Sequence, residues 1–466
     1  MVFSSLLFMF QYLPIVLLIY YLAPVKWRNL WLFIVNLVFY GWGEPVYIVL
    51  MLFSIALNYG VGLLVEKYRE NQREKAKRVL TVNIIVNLLL LGFFKYYDLF
   101  AETLSLIPGL TLPTLGLTLP IGISFYTFQT MSYPIDLYRG DCTVQRNFIS
   151  FGTFVALFPQ LIAGPIVRYK DVADQLGFRA GSMEQFSSGV RRFIVGLGKK
   201  VLIANNIGML WDVYSGTGVS ELSVLGAWLG IIAFSLQIYF DFSGYSDMAI
   251  GLGRMLGFEF LENFDYPYIS KSVTEFWRRW HMSLGTWFRD YVYIPLGGNR
   301  CGLMRQFFNI FVVWALTGFW HGANWTFLFW GVYYAIFLMI EKAFLLKRLK
   351  QAPAFLGHIY ALLVAVCGWV VFDLSTLTHA LGYYKAMFGL SGAGLTHAAD
   401  LFYLKNYALM LIIGIVAATP LGKKLYEKLP AKAMAVITPA LILFVLVFST
   451  AYLVDATYNP FLYFRF

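Results

Sequence analysis

The sequence predicts an all-α, polytopic membrane protein, and its composition supplies the reasons. Of its 466 residues, 59% are hydrophobic, 19% are aromatic and only 13% are charged. Soluble globular proteins carry charge on roughly a quarter of their residues, and disordered chains are poor in aromatic residues. A membrane-spanning helix needs about 20 apolar residues, so a chain of this length has room for about ten to thirteen transmembrane and re-entrant helices.

Apolar runs recur along the chain, and the first of them, residues 5–23, is predicted to be a retained helix. It is long enough to span a membrane, and no small-residue cleavage site follows it. Several later runs are short or broken by Gly and Pro. Interrupted backbone is tolerated inside a membrane only where protein or a cavity covers it, which favours a hollow bundle with re-entrant helices. The later runs lie near residues 28–41, 45–65, 79–100, 146–167, 222–240, 306–320, 323–341, 355–372, 401–418 and 434–453.

The net charge of +11 is interpreted as an orientation signal, because Lys and Arg collect in the cytoplasmic loops of membrane proteins. The segment 66–78 holds six basic residues and is predicted to be cytoplasmic. No nucleic-acid partner is expected. The three cysteines are far apart in sequence, so neither a disulfide framework nor a zinc site is predicted.

His321 is the strongest candidate functional residue. It lies near the middle of residues 311–340, which contain no Asp, Glu, Lys or Arg. An ionisable side chain at such depth marks a functional site by default. The structural alternative is a buried histidine bonded to Asn324, Thr317 or a backbone carbonyl. A neutral, desolvated imidazole on a cavity wall could act as a general base.

A second candidate region, residues 270–300, mixes basic and tryptophan side chains. If residues 274–282 are helical, Glu275, Arg278 and His281 share one face. Such a helix could lie in the lipid headgroup layer. Alternatively, it could form a cationic mouth for a phosphorylated ligand, because arginine makes bidentate contacts to phosphate.

Two carboxylates, Asp241 and Asp247, interrupt the apolar run 236–253. They could act as acid and base or hold a cation, but a metal site would need more ligands than the sequence offers. The favoured interpretation is structural, with each aspartate paired to Arg278, Arg279 or another buried base.

The chain contains several long sequence strings. Their length, order and spacing are much more specific than any four-residue pattern. Together they resemble the membrane-bound O-acyltransferases, and within that family the alginate O-acetyltransferase type. The strings are MVFSS at the start, 120-PIGISFYTFQ-129, 158-FPQLIAGPIVR-168, 240-FDFSGYSDMAIGLG-253, 267-PYISKSVTEFWRRWHMSL-284, 294-IPLGGNR-300, 318-GFWHGANWTF-327 and 458-YNPFLYFRF-466.

The resemblance implies one integral-membrane domain over residues 1–466, with the core acyltransferase motifs within about 119–341 and a ring of helices around a central funnel. It implies that His321 is the catalytic histidine and His281 a second catalytic residue. His281 or Asn324 would stabilise the oxyanion, and Asn324 is also expected to contact the bound acyl donor.

The resemblance also implies the substrates. Acetyl-CoA would enter from the cytoplasm with its phosphates against the basic residues Arg278, Arg279 and Lys271. The acetyl group would pass to an extracytoplasmic SGNH-type partner and then to a polysaccharide hydroxyl. The protein would lie in the cytoplasmic (inner) membrane, and no metal or tightly bound cofactor is expected. Direct transfer is favoured over an acyl-enzyme, although Ser283 keeps the second route open.

Two alternatives to this function remain open. A secondary transporter could use the same buried histidine with Asp241 and Asp247 as coupling carboxylates, although no internal repeat is visible. The same fold could also acylate peptidoglycan, cellulose or teichoic acid. The short connection 418–433 departs from the longer insert expected in alginate acetylases, which leaves the acceptor polymer open.

Overall fold

The computed structural model describes residues 2–179, 181–455 and 462. Every regular element in these ranges is helical, which confirms the predicted all-α class. Eight of the described helices are long and apolar enough to cross a membrane, so the protein is a multi-pass membrane protein. These helices are Ile48–Arg69, Arg73–Leu104, Met183–Ser215, Val224–Met255, Trp325–Gln351, Ala354–Asp373, Ala398–Ala417 and Ala431–Asp455.

The described residues divide into two compact units. The first contains the residues up to Phe193 together with Tyr245–Leu261. Two of the places where Gly and Pro interrupt the chain, residues 119–122 and 164–165, fall outside its helices. Its helices are α1 Leu13–Leu22, α2 Arg28–Gly43, α3 Ile48–Arg69, α4 Arg73–Leu104, α5 Ile123–Arg139, α6 Phe148–Ala156, α7 Phe158–Leu161, α8 Tyr169–Gly177 and the first part of α9 Met183–Gly198.

The second unit contains Ile194–Gly244 and the chain from Glu262 onward. Helix α11 begins in this unit and ends in the first. The helices are α10 Asn205–Ser215, α11 Val224–Met255, α12 Val273–Arg279, α13 Met282–Phe288, α14 Leu303–His321, α15 Trp325–Ile340, α16 Leu346–Gln351, α17 Ala354–Asp373, α18 Leu377–Met387, α19 Ala398–Ala417, α20 Leu421–Glu427 and α21 Ala431–Asp455. Short π-helical segments at Lys199–Ala204, Arg289–Tyr293 and Glu341–Leu345 extend neighbouring helices.

In the first unit, three buried asparagines join the antiparallel helices α3 and α4. Asn58 accepts a hydrogen bond from Asn83 at 2.9 Å and donates to Asn87 at 3.1 Å. Asn87 donates to the backbone carbonyl of Asn83 at 2.8 Å. Because no water reaches the interior of a membrane bundle, amide side chains there must satisfy one another, and these three do so.

In the second unit, two glycines let the backbones of α14 and α15 touch. A methyl group on Gly331 would collide with the carbonyl oxygen of Trp314, and one on Gly318 would collide with that of Phe327. Small residues allow such close helix packing inside membranes. This contact fixes the turn between the two helices, where His321 lies.

We expect Gly331→Ala to destabilise the protein, because its methyl group would force α14 and α15 apart. Gly92→Ala is the matched control, since Gly92 also lies in a membrane-spanning helix but has no atom within 4 Å of the place where a methyl group would lie. Thermal unfolding of the two purified variants in detergent measures the difference. Equal melting temperatures would contradict a close-packing role for Gly331.

Candidate active site

His321 is the last residue of α14, at the point where the charge-free run 311–340 divides into two helices. Gly322 continues the chain in an extended conformation, and a methyl group there would collide with the ring of Phe327. Asn324 then caps the start of α15. The break therefore places His321 at a helix end, inside the run from which the sequence singled it out.

Aromatic rings surround the His321 imidazole, which is 6% exposed. Its ring centroid lies 5.2 Å from Trp320, 5.1 Å from Trp330 and 5.4 Å from Phe372, each in an edge-to-face arrangement. Such surroundings have a low dielectric constant, which strengthens any hydrogen bond that the imidazole makes there.

His281 lies between two short helices and not within one. Helix α12 ends at Arg279, and His281 adopts left-handed backbone angles (φ 46°, ψ 53°) immediately before α13. Residues 274–282 therefore do not form one helix, and the condition under which Glu275, Arg278 and His281 would share a helical face is not met. A left-handed non-glycine residue is strained and persists only where other contacts hold it.

The contacts that hold His281 come from Asn263, which sequence reasoning missed. Its backbone carbonyl accepts the Met282 N–H at 3.0 Å, and its side-chain Oδ1 accepts the Ser283 N–H at 3.2 Å. The same Oδ1 lies 2.9 Å from Ser283 Oγ and 3.1 Å from His281 Nδ1. Burial lowers the pKa of the His281 imidazole to about 3, so the ring is neutral at physiological pH.

The two histidines belong to one aromatic cluster. Trp320 lies between them, with its ring centroid 6.0 Å from that of His281 and 5.2 Å from that of His321. Phe242 covers His281 at 4.7 Å. The structure therefore brings together the two residues predicted to be catalytic.

Glu341 is a second residue that sequence reasoning missed. It is buried, and its carboxylate accepts the backbone N–H groups of Val273 at 2.6 Å and Thr274 at 2.9 Å. The Thr274 hydroxyl donates to it as well, at 2.6 Å. Glu341 thus caps the first turn of α12, the helix that leads to His281. The sequence feature that could have identified Glu341 is its position directly after the charge-free run 311–340.

The predicted donor-binding residues differ in their surroundings. Arg279 is held in place, because it pairs with Asp265 at 2.8 Å and with Glu275 at 3.1 Å. Arg278 and Lys271 are exposed. Neither basic group has a side-chain partner among the residues that the structure describes, so both are available to a ligand.

Both polar atoms of the Asn324 side-chain amide form hydrogen bonds. Its Oδ1 accepts the Thr326 N–H at 3.0 Å, and its Nδ2 donates to the Ser375 carbonyl at 3.0 Å. These bonds support the turn that follows His321. A role in donor binding remains a prediction.

The two aspartates pair with bases other than Arg278 and Arg279. Asp241 pairs with Lys200 in the second unit, and Asp247 lies 2.8 Å from Arg192 in the first. Both contacts fit the structural interpretation and neither requires an acid–base pair.

Comparison with known proteins identifies the family to which the chain belongs. Residues 143–378 match the family described as MBOAT, membrane-bound O-acyltransferase. The chain is 43% identical over 423 residues to a probable alginate O-acetylase AlgI of Azotobacter vinelandii, covering 90% of this chain and 84% of that protein. Identity to the protein of the same name in Pseudomonas putida is 41% over 488 aligned positions, covering all of both chains. The chain belongs to the membrane-bound O-acyltransferase family.

A more distant member, the peptidoglycan O-acetyltransferase of Helicobacter pylori, is 35% identical over 433 residues, covering 85% of this chain and 81% of that protein. Membership of the membrane-bound O-acyltransferase family makes the chain an acyltransferase and removes support for the secondary-transporter alternative. The closing string 458–466 lies outside the described residues except for Leu462, and the first residue of the opening string also lies outside them.

We expect Glu341→Ala to destabilise the acyltransferase, because one buried N–H group, one part-buried N–H group and one hydroxyl would lose their acceptor. An unsatisfied buried donor costs about 1–3 kcal/mol. Thermal unfolding and transferase activity measure the effect. The control is Glu427→Ala, since Glu427 makes only a 3.9 Å exposed pair with Lys423. A stable, fully active Glu341→Ala protein would contradict the capping role.

Proposed function

We propose that the protein transfers an acetyl group from cytoplasmic acetyl-CoA across the cytoplasmic membrane to an extracytoplasmic SGNH-type partner, for O-acetylation of an exopolysaccharide such as alginate. The observation that carries this proposal is the pair of buried histidines on either side of Trp320. The names of the Azotobacter and Pseudomonas relatives support the acetyl group and the alginate acceptor.

In the proposed reaction, His321 is the general base. It removes the proton of the acceptor hydroxyl while the oxygen attacks the thioester carbonyl. The carbon–sulfur bond then breaks, an oxygen ester forms, and the proton passes from His321 to the departing CoA sulfur. General base catalysis of this kind contributes typically about 10²–10⁴-fold.

Donors for the developing oxyanion are available in the same cluster. The indole nitrogens of Trp277 and Trp330 are buried and have no hydrogen-bond partner among the described residues. Their rings lie 5.4 Å apart, and Trp330 contacts His321 at 5.1 Å. A desolvated donor aimed at the oxyanion is often worth about 10²–10³-fold.

The donor enters, in this proposal, on the side of Arg278 and Lys271. Both are exposed, and a guanidinium can grip the CoA phosphates in a bidentate manner. Arg279 lies beside them, but its pairs with Asp265 and Glu275 give it a role in holding the segment.

A second acceptor, peptidoglycan, is favoured by one observation, the 35% identity to the Helicobacter peptidoglycan O-acetyltransferase. Acetyl transfer from labelled acetyl-CoA to purified alginate and to peptidoglycan, each with an SGNH-type partner present, distinguishes the two. Transfer to neither, with a folded protein, would overturn the proposed function.

We expect His321→Ala to lower acetyl transfer by about 10²–10⁴-fold, because the general base is lost. Transfer from labelled acetyl-CoA in membranes is the measurement, with folding checked by size-exclusion chromatography. His379→Ala is the control, since that histidine lies on α18 outside the aromatic cluster. A wild-type rate in the His321→Ala protein would rule out His321 as the base.

We expect Arg278→Gln to raise the KM for acetyl-CoA and leave kcat nearly unchanged, because the arginine binds phosphate far from the reacting carbonyl. The loss should shrink when acetyl-pantetheine, which lacks the CoA phosphates found in acetyl-CoA, is the donor. Lys423→Gln on α20 removes a similar exposed charge as the control. An unchanged KM for acetyl-CoA would place the phosphates elsewhere.

A further inference from the structure

We infer that Asn263 is a positioning residue that holds His281 with its proton on Nδ1, so that Nε2 accepts a hydrogen bond from an O–H or N–H group of the substrate. The inference rests on the proposed function, because it assumes that His281 contacts the substrate. It assigns His281 the part of an acceptor in place of the oxyanion donor that the family resemblance suggested.

The first step identifies which atom of the Asn263 amide faces the histidine. The backbone N–H of Ser283 lies 3.2 Å from that atom, and a backbone N–H can only donate. The atom must therefore be the amide oxygen. This settles the side-chain orientation from chemistry, although oxygen and nitrogen have nearly the same shape.

The second step places the proton on the imidazole. His281 Nδ1 lies 3.1 Å from the same amide oxygen, which can only accept, so Nδ1 must be the donor. Ser283 Oγ lies 2.9 Å from this oxygen and 3.5 Å from Nδ1. Since the serine hydroxyl gives its single proton to Asn263, it too can only accept from Nδ1.

The third step concerns the opposite nitrogen. Because burial keeps the ring neutral, a proton on Nδ1 leaves Nε2 with a lone pair. Nε2 is buried and has no hydrogen-bond partner among the described residues, and His281 as a whole is 2% exposed. A buried acceptor without a partner costs free energy that a substrate hydroxyl or amide would recover.

The same assignment bears on Ser283. A serine nucleophile would need His281 Nδ1 to take its proton, but Nδ1 already carries one and donates it to Asn263. His281 is therefore not available as the base for Ser283, which favours direct transfer over an acyl-serine intermediate.

Among the described residues, the side chains of Asn263 and Ser283 lie within hydrogen-bond distance of the His281 imidazole, and those of Phe242 and Trp320 make ring contacts with it. None of these four side chains carries a charge, so none of them would stabilise the imidazolium cation that a second proton, on Nε2, would create. Placing a carboxylate at position 263 would change this, because an opposite charge within hydrogen-bond reach favours the imidazolium by about 1–3 pKa units.

Two experiments test the inference. Nitrogen-15 NMR of protein labelled at histidine distinguishes a protonated Nδ1 from an unprotonated one. The chain contains five histidines, so the signal that disappears in His281→Ala is that of His281. We expect a protonated Nδ1 in the wild type and loss of that preference in Asn263→Leu. A bare Nδ1 in the wild type would overturn the assignment.

The second experiment uses Asn263→Asp, which keeps every acceptor bond and adds a charge. A general base loses its activity when it is protonated, so kcat falls on the acid side in the wild type as well. In Asn263→Asp we expect this loss of kcat to begin at a higher pH than in the wild type. Asn309→Asp, which puts an acid at a different buried asparagine, on α14, should not reproduce that shift. A purely structural role for Asn263 predicts a wild-type profile, which would refute the inference.

The catalytic role of His281 and the positioning role of Asn263 can be contradicted independently. If His281→Ala protein transfers acetyl groups at the wild-type rate, the catalytic role of His281 fails whatever Asn263 does. If His281→Ala is inactive and folded while Asn263→Asp keeps the wild-type pH profile, the positioning role of Asn263 fails and the proposed function stands.

Discussion

The constraint on which the structure depends is that a polar group inside an apolar bundle must have a partner. Water cannot supply one in the hydrocarbon region, so each amide or charge needs another protein group. Asn58, Asn83 and Asn87 satisfy one another in the first unit, and Lys200 and Asp241 pair in the second. A buried group without a partner is then informative, because a ligand that bonds to it would recover the free energy of leaving it unsatisfied.

His281 Nε2 and the indole nitrogens of Trp277 and Trp330 are such groups. Trp277 packs against Trp330 and Trp330 against His321, while the ring of Trp320 contacts both histidines. A cluster that offers one acceptor and two donors in dry surroundings matches the needs of acyl transfer, in which a hydroxyl must lose a proton and a carbonyl oxygen must gain charge.

The sequence predicted the helical membrane class, and it singled out His321 as a candidate, because both inferences depend on local composition. A single imidazole in thirty residues without Asp, Glu, Lys or Arg is visible without any structure. Asn263 and Glu341 were not visible in this way. Asn263 acts on a residue 18 positions away and Glu341 on residues 67 and 68 positions away, and no local pattern encodes such pairings.

Arg278 and Arg279 illustrate the same limit, since neighbouring helix residues point about 100° apart and only one of the two meets Asp265 and Glu275. The end of helix α12 at Arg279 could not be read from the sequence for a related reason. This end is set by the bonds from residues 282 and 283 to Asn263, which hold His281 in a left-handed conformation that local propensity would not choose.

The lack of charge on the Asn263 side chain limits which protonation state His281 can adopt. A carboxylate at this place would stabilise an imidazolium, as the aspartate of a Ser-His-Asp triad does. An amide oxygen orients the ring but contributes no full charge, so protonated His281 would be a buried cation without a counter-ion. His281 is therefore suited to accept a hydrogen bond and not to store a proton. In the proposed reaction this leaves His321, on the other side of Trp320, as the histidine that would carry the proton from the hydroxyl to the CoA sulfur.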